Sequence, residues 1–149
     1  MSTNNYILNL LNIKDKNINL YENYLNQYSK ILNSQNLSQQ GKLGLTQDIH
    51  NLLKNYSPDI EVASVDECYL DYGKVKKLYG DEVEFAYKLK DQIYNELGFT
   101  VNIGIANNKL CAKMASDFQK PNKVHTLYSY QVKEKMWPLD ISDLFMAGK

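Results

Sequence analysis

From residue 60 onward the apolar positions switch between two periods. Ile60 to Val65 alternates apolar and polar side chains with β-branched residues, which predicts a strand. Cys68 to Tyr72 predicts a second short strand, separated from the first only by Asp66-Glu67. Asp81 to Leu97 then carries Val83, Ala86, Leu89, Ile93 and Leu97 at helical spacing and closes on Gly98, the residue type that ends helices. Phe99 to Ile105 reads as an apolar strand, Asn107 or Asn108 as the cap of a helix running through Asp117, and Val124 to Tyr128 as a last strand. Ser129 to Met136 and Ile141 to Phe145 read as short helices. Upstream, Asn, Gln, Leu and Tyr dominate, with little patterning beyond short helical stretches. Tyr21, Tyr24, Leu25 and Tyr28, followed by Ile31 and Leu32, predict a helix over about 19–33. A polar loop spans 34–44, and a second helix from Thr46 to Tyr56 is stopped by Ser57-Pro58. Residues 1–55 therefore read as a mainly helical lead-in. The order that follows predicts an α+β domain with helices on one face of an antiparallel or mixed sheet.

Composition adds limits. A chain of 149 residues has room for one compact domain. Its 44% hydrophobic and 23% charged residues are those of an ordinary globular protein. No apolar run approaches the roughly 20 residues that cross a bilayer, and no signal-peptide pattern opens the chain, so a cytoplasmic location with no membrane partner is the expectation. Cys68 and Cys111 lack metal-ligand spacing and suit a reducing compartment, packed as small apolar thiols. Seventeen basic residues balance seventeen acidic ones, so the chain has none of the basic excess by which a self-sufficient DNA-binding protein neutralises phosphates.

Two stretches carry candidate chemistry. In Ser64-Val65-Asp66-Glu67 two carboxylates stand side by side between strands. In a regular strand they would point to opposite faces, so only a turn or bulge lets both reach one point, where they would offer hard oxygen ligands to Mg²⁺. The same pair also suits a plain solvated turn. In Gly104 to Lys113 a strand feeds a helix whose first turns place Lys109 and Lys113 four residues apart on one face. A helix start with lysines beside it suits a polyphosphate, and it equally suits a solvated surface helix.

Together the segments Ile60-Glu61-Val62-Ala63-Ser64-Val65-Asp66-Glu67-Cys68-Tyr69-Leu70-Asp71 and Thr100 to Lys109, continuing through Lys113, Ala115-Ser116-Asp117 and Lys120-Pro121, resemble the UmuC/DinB (ImpB/MucB/SamB) family, the Y-family translesion DNA polymerases. Trp137 to Leu144 and the Ala147-Gly148-Lys149 ending resemble its transition to the thumb's helix–hairpin–helix. The resemblance covers about residues 56–149. It implies a ferredoxin-like polymerase palm over 56–140 and the start of the thumb over 141–149. It implies template-directed nucleotidyl transfer to a primer 3′-hydroxyl, with primer–template DNA and dNTP as partners and a sliding clamp as an additional one. It further implies two Mg²⁺ ions, with Asp66 and Glu67 as catalytic and metal-holding carboxylates, Asp66 bridging both ions and Glu67 on the ion that activates the 3′-hydroxyl. Lys113 matches the lysine that contacts the incoming triphosphate. Ser64 supports the hairpin, and Cys68 replaces the usual alanine as core packing.

The departures from the pattern bear on activity. The family's third carboxylate belongs to an N-terminal D-x-x-x-F-F/Y motif that residues 1–55 lack, and the sugar-screening aromatic beside it is missing too. The chain has no arginine for the triphosphate role of the fingers, and thumb and little finger would lie beyond Lys149. The expectation is therefore an inactive fragment of a polymerase. The alternative is an inert palm remnant serving as an interaction or structural module. A third class, a nucleotidyl cyclase palm, fits the acidic hairpin but not the Ala112 to Asp117 segment or the Gly-Lys ending.

Overall fold

The computed structural model describes residues 6–11, 47–64 and 67–147. Among these, five strands form one mixed sheet in the order β2–β3–β1–β4–β5. Strand β1 (Tyr6–Leu11) lies at its centre, antiparallel to β3 (Glu67–Asp71) on one side and to β4 (Val101–Ala106) on the other. Strand β2 (Ile60–Ser64) pairs antiparallel with β3, with a shift of register between Val62 and Ser64. Strand β5 (Val124–Leu127) joins β4 in parallel, a direction that requires a crossover, here provided by a helix.

Helix α1 spans 47–54, α2 is the single turn Lys76–Tyr79, α3 is Glu82–Leu97, α4 is Lys109–Asp117 and α5 is Val132–Lys135. Asp81 caps α3 by accepting from the N–H groups of Val83 and Glu84, both at 2.9 Å. Gly98 ends it in the left-handed region at φ 74°, donating its N–H to the Tyr94 carbonyl at 2.9 Å. Asn108 caps α4 through Oδ1, which accepts from Cys111 N–H at 2.8 Å.

Two apolar clusters sandwich the sheet. On one face Ile49 and Leu53 of α1 and Phe85, Leu89 and Ile93 of α3 pack against Cys68, Leu70, Val101, Ile103 and Ile105. Tyr56, Tyr72, Tyr79 and Phe85 meet there with ring centroids 5.0–5.4 Å apart, mostly edge-on or tilted, the arrangement aromatic quadrupoles favour. On the other face Cys111, Ala112, Met114 and Ala115 of α4 pack with Tyr69, Ala106 and Leu127. The two free cysteines thus belong to opposite faces, which excludes a disulfide between them.

The sequence reading differs from this fold in several places. It places helices on one face, whereas α3 and α4 cover opposite faces. The reason is Gly104: a Cβ there would sit 1.9 Å from the Ala112 carbonyl oxygen, so only glycine lets α4 settle directly on β4. No strand is expected before residue 60, yet β1 is central. The second and third expected strands are displaced by one or two residues, to Glu67–Asp71 and Val101–Ala106. Of the helix expected over Ser129 to Met136, Ser129–Gln131 is a 3₁₀ turn and Val132–Lys135 is α-helical; Ile141–Asp143 is a 3₁₀ turn, and the pattern does not predict α2. The helix expected over about 19–33, the expected first residue Thr46 of the second helix and the thumb-like residues 148–149 lie outside the described residues. Among the described residues no helix is long and apolar enough to cross a membrane.

Candidate functional site

The face under α4 is where charged side chains converge. Alternation along β3 sends Cys68 and Leu70 into the cluster under α3, so Glu67 and Tyr69 fall on the α4 face. Glu67 is the first residue of β3 and pairs in register with Ser64 at the end of β2. Val65 and Asp66 lie outside the described residues, so one of the two carboxylates singled out by sequence can be placed.

Glu67 Oε1 is 2.6 Å from Lys113 Nζ, joining residues 46 apart in sequence. Lys113 Nζ is also 3.1 Å from Asp117 Oδ2, and Asp117 Oδ1 is in turn 2.7 Å from Lys120 Nζ. Side-chain exposure is 39% at Lys120, 36% at Asp117, 8% at Lys113 and 19% at Glu67, so Lys113 is the most buried member of the chain of charges. Burial on its own would lower the Lys113 pKa. The hydrogen bonds to Glu67 and Asp117 outweigh it and hold the ammonium above the ordinary lysine value. The Phe145 ring centroid lies 5.6 Å from Lys113 Nζ, within cation–π range.

One turn earlier, Lys109 makes an ion pair with Glu61 of β2 and sits 5.6 Å from the Tyr69 ring centroid. The two lysines on one face of α4 therefore both reach the β2–β3 pair, each to its own glutamate. Beside them Pro58, Asp59, Ile60, Glu61, Tyr69, Asp71, Lys74 and Lys109 line a cleft of about 350 Å³. Tyr69 at its edge has its phenol pKa raised, first by burial and then by the nearby Glu67 charge.

Glu61, Asp117 and Lys120 carry no role that the sequence pattern reveals. The i, i+4 spacing of Lys113 and Asp117 is the one signal that points to part of this network. Among the described residues no group of three or more His, Cys, Asp and Glu side chains is gathered as a metal cage would be. Glu67 presents a carboxylate oxygen, the hard donor type that Mg²⁺ takes, and in this structure that oxygen is paired with the Lys113 ammonium.

A sequence profile of the impB/mucB/samB family matches residues 9–117. DNA polymerase IV of Clostridium acetobutylicum is 52% identical over 105 residues, which is 70% of this chain and 26% of that protein. DNA polymerase IV of Saccharolobus solfataricus is 38% identical over 96 residues, 64% of this chain and 27% of that protein. The chain thus spans about a quarter of the length of the curated relatives it matches. Among solved structures, a DinB family error-prone DNA polymerase from Sulfolobus solfataricus superposes with a TM-score of 0.70 at 26% identity, covering 97% of this chain and 53% of the other. An insertion ternary complex of Dbh DNA polymerase superposes with a TM-score of 0.71 at 25% identity, over 97% of this chain and 55% of that one.

Proposed function

The chain belongs to the impB/mucB/samB family, and from that premise we propose that it is the palm portion of a cytoplasmic translesion DNA polymerase that transfers nucleotides to a primer 3′-hydroxyl. The observation that carries this is the Glu67–Lys113 contact, a carboxylate and an ammonium brought together from two distant motifs onto one face of the sheet. In this reading Glu67, with Asp66, holds Mg²⁺, and Lys113 takes the phosphates of the incoming dNTP. Two bound Mg²⁺ ions would supply charge stabilisation at the attacking and leaving oxygens. The chain's own residues do the positioning. Helix α4, seated on Gly104 and capped by Asn108, fixes the backbone of Lys113. Strand β3 fixes that of Glu67. Primer–template DNA, and a clamp to retain it, belong to the longer polymerase.

A second reading, an inert palm used as an interaction module, is favoured by β1. It lies directly beside β3, with Leu10 in register with Glu67, and none of Tyr6–Leu11 is acidic. For the 149-residue chain by itself both readings expect no extension of a primed template with Mg²⁺ or Mn²⁺. They part when residues 56–117 replace the matching segment of the Clostridium acetobutylicum polymerase. The polymerase reading expects extension that Asp66→Ala or Glu67→Ala lowers by roughly two orders of magnitude or more, the scale of losing one electrostatic contact to reacting groups. Undiminished extension in those variants would reduce the hairpin carboxylates to a solvated turn.

A further inference from the structure

We propose that Asp117 is the positioning residue for Lys113, a second seat that lets the buried ammonium release Glu67 and turn to a phosphate. This rests on the phosphate role given to Lys113 above and adds a residue to it. Glu67, Lys113, Asp117 and Lys120 form a four-membered chain with alternating charge, linked at 2.6, 3.1 and 2.7 Å. With Glu67 as its only acceptor, the lysine would be locked. At 8% exposure its charge could not leave one carboxylate without being stranded in a poorly hydrated site, and a buried charge with no partner is strongly unfavourable. Asp117, one helical turn along α4, removes that obstacle because Oδ2 already lies within reach of the ammonium. Lys120 holds the other oxygen, so Asp117 keeps its orientation when Lys113 shifts its weight, and its charge is compensated from the solvent side. The arrangement frees Glu67 for a hard cation and Lys113 for an anion in one rearrangement, with the ammonium never unpartnered.

Calorimetric titration of the 149-residue chain with metal-free tripolyphosphate tests this, with circular dichroism confirming that each variant is folded. Simple electrostatics expects Asp117→Asn to strengthen anion binding, because a negative charge is removed nearby. The positioning role expects the opposite, binding weakened roughly tenfold, the worth of one charge-assisted hydrogen bond. Asp117→Glu should recover most of the loss, and Asp117→Asn should add nothing in a Lys113→Met background. A ligand-free readout is the side-chain ammonium NMR signal of Lys113. In Glu67→Gln it should stay protected from exchange, and in Glu67→Gln with Asp117→Asn it should be lost. Unchanged or tighter binding by Asp117→Asn, alongside weakened binding by Lys113→Met, overturns the role of Asp117 and leaves the phosphate role of Lys113 standing. No binding by the unmodified chain, or no effect of Lys113→Met, overturns both.

Discussion

His50 and His125 both titrate below the ordinary histidine value, and for the same first reason, burial that disfavours the imidazolium. Lys54 adds to the effect at His50, and Lys135 and Lys123 add to it at His125, whose Nε2 has no hydrogen-bond partner among the described residues. A folded-state pKa below the unfolded one means that the unfolded chain binds the extra protons. The stability contributed by keeping these rings neutral is therefore complete above the unfolded value near 6.5 and lost as pH falls below it through the folded values. Urea midpoints should drop between about pH 7.5 and about pH 5.5, and the drop should shrink in a His50→Gln, His125→Gln double variant. An unchanged midpoint across that interval would refute the account. The same scale shows what the sequence could not express. Pattern alone leaves Lys113 a choice between phosphate ligand and solvated surface lysine. The structure gives a third state, buried and paired, because its partner Glu67 is 46 positions away, and periodicity contains no information about such pairings.

Among the elements, the extent of α3 was legible from Asp81 to Gly98, with Ala86, Leu89 and Ile93 of its apolar stripe, because what defines it is local. That Asp81 is its cap and Phe85 part of its buried face was not evident from the pattern. Strand β1 was not legible. Its six residues form a short apolar run that is compatible with either period, and what makes them a strand is pairing with β3 and β4, some 60 and 95 residues further on. The two-faced packing was hidden for a related reason. A glycine within a strand signals close approach in general, but not which helix approaches. That contact is now specific enough to test. In Gly104→Ala the new methyl meets the Ala112 carbonyl oxygen at 1.9 Å and the Ser116 nitrogen at 2.6 Å, both backbone atoms that cannot rotate away. Helix α4 must lift off β4, and the chain should lose about 3 kcal/mol or more in urea unfolding, the upper end of overpacking costs. A loss below about 1 kcal/mol would mean that α4 is not seated as described.

At the scale of the whole molecule, charge balance sets the affinity for DNA that can be expected of this chain. The formal net charge is +0, and Lys74, Lys76, Lys109, Lys113 and Lys120 are each paired with a carboxylate, so the chain carries no net positive charge to drive phosphate binding. Duplex DNA should bind no tighter than about 10⁻⁶ M at physiological salt, and the affinity should change only shallowly with salt. Fluorescence anisotropy against a salt series checks both, and nanomolar affinity would reveal a basic surface that the described residues do not show. The place of β1 in the sheet has one more consequence, for biosynthesis. The ribosome makes Tyr6–Leu11 before its partner strands, and the partner in β4 is complete only when residue 106 has emerged. At ordinary elongation rates of about 5–20 residues per second, the hydrophobic hexapeptide waits roughly 5–20 s with one or both edges unpaired. For that interval the nascent chain presents an uncharged adhesive segment of the kind that seeds intermolecular β-structure, so its yield in cells should depend on chaperone supply more than its native stability would suggest.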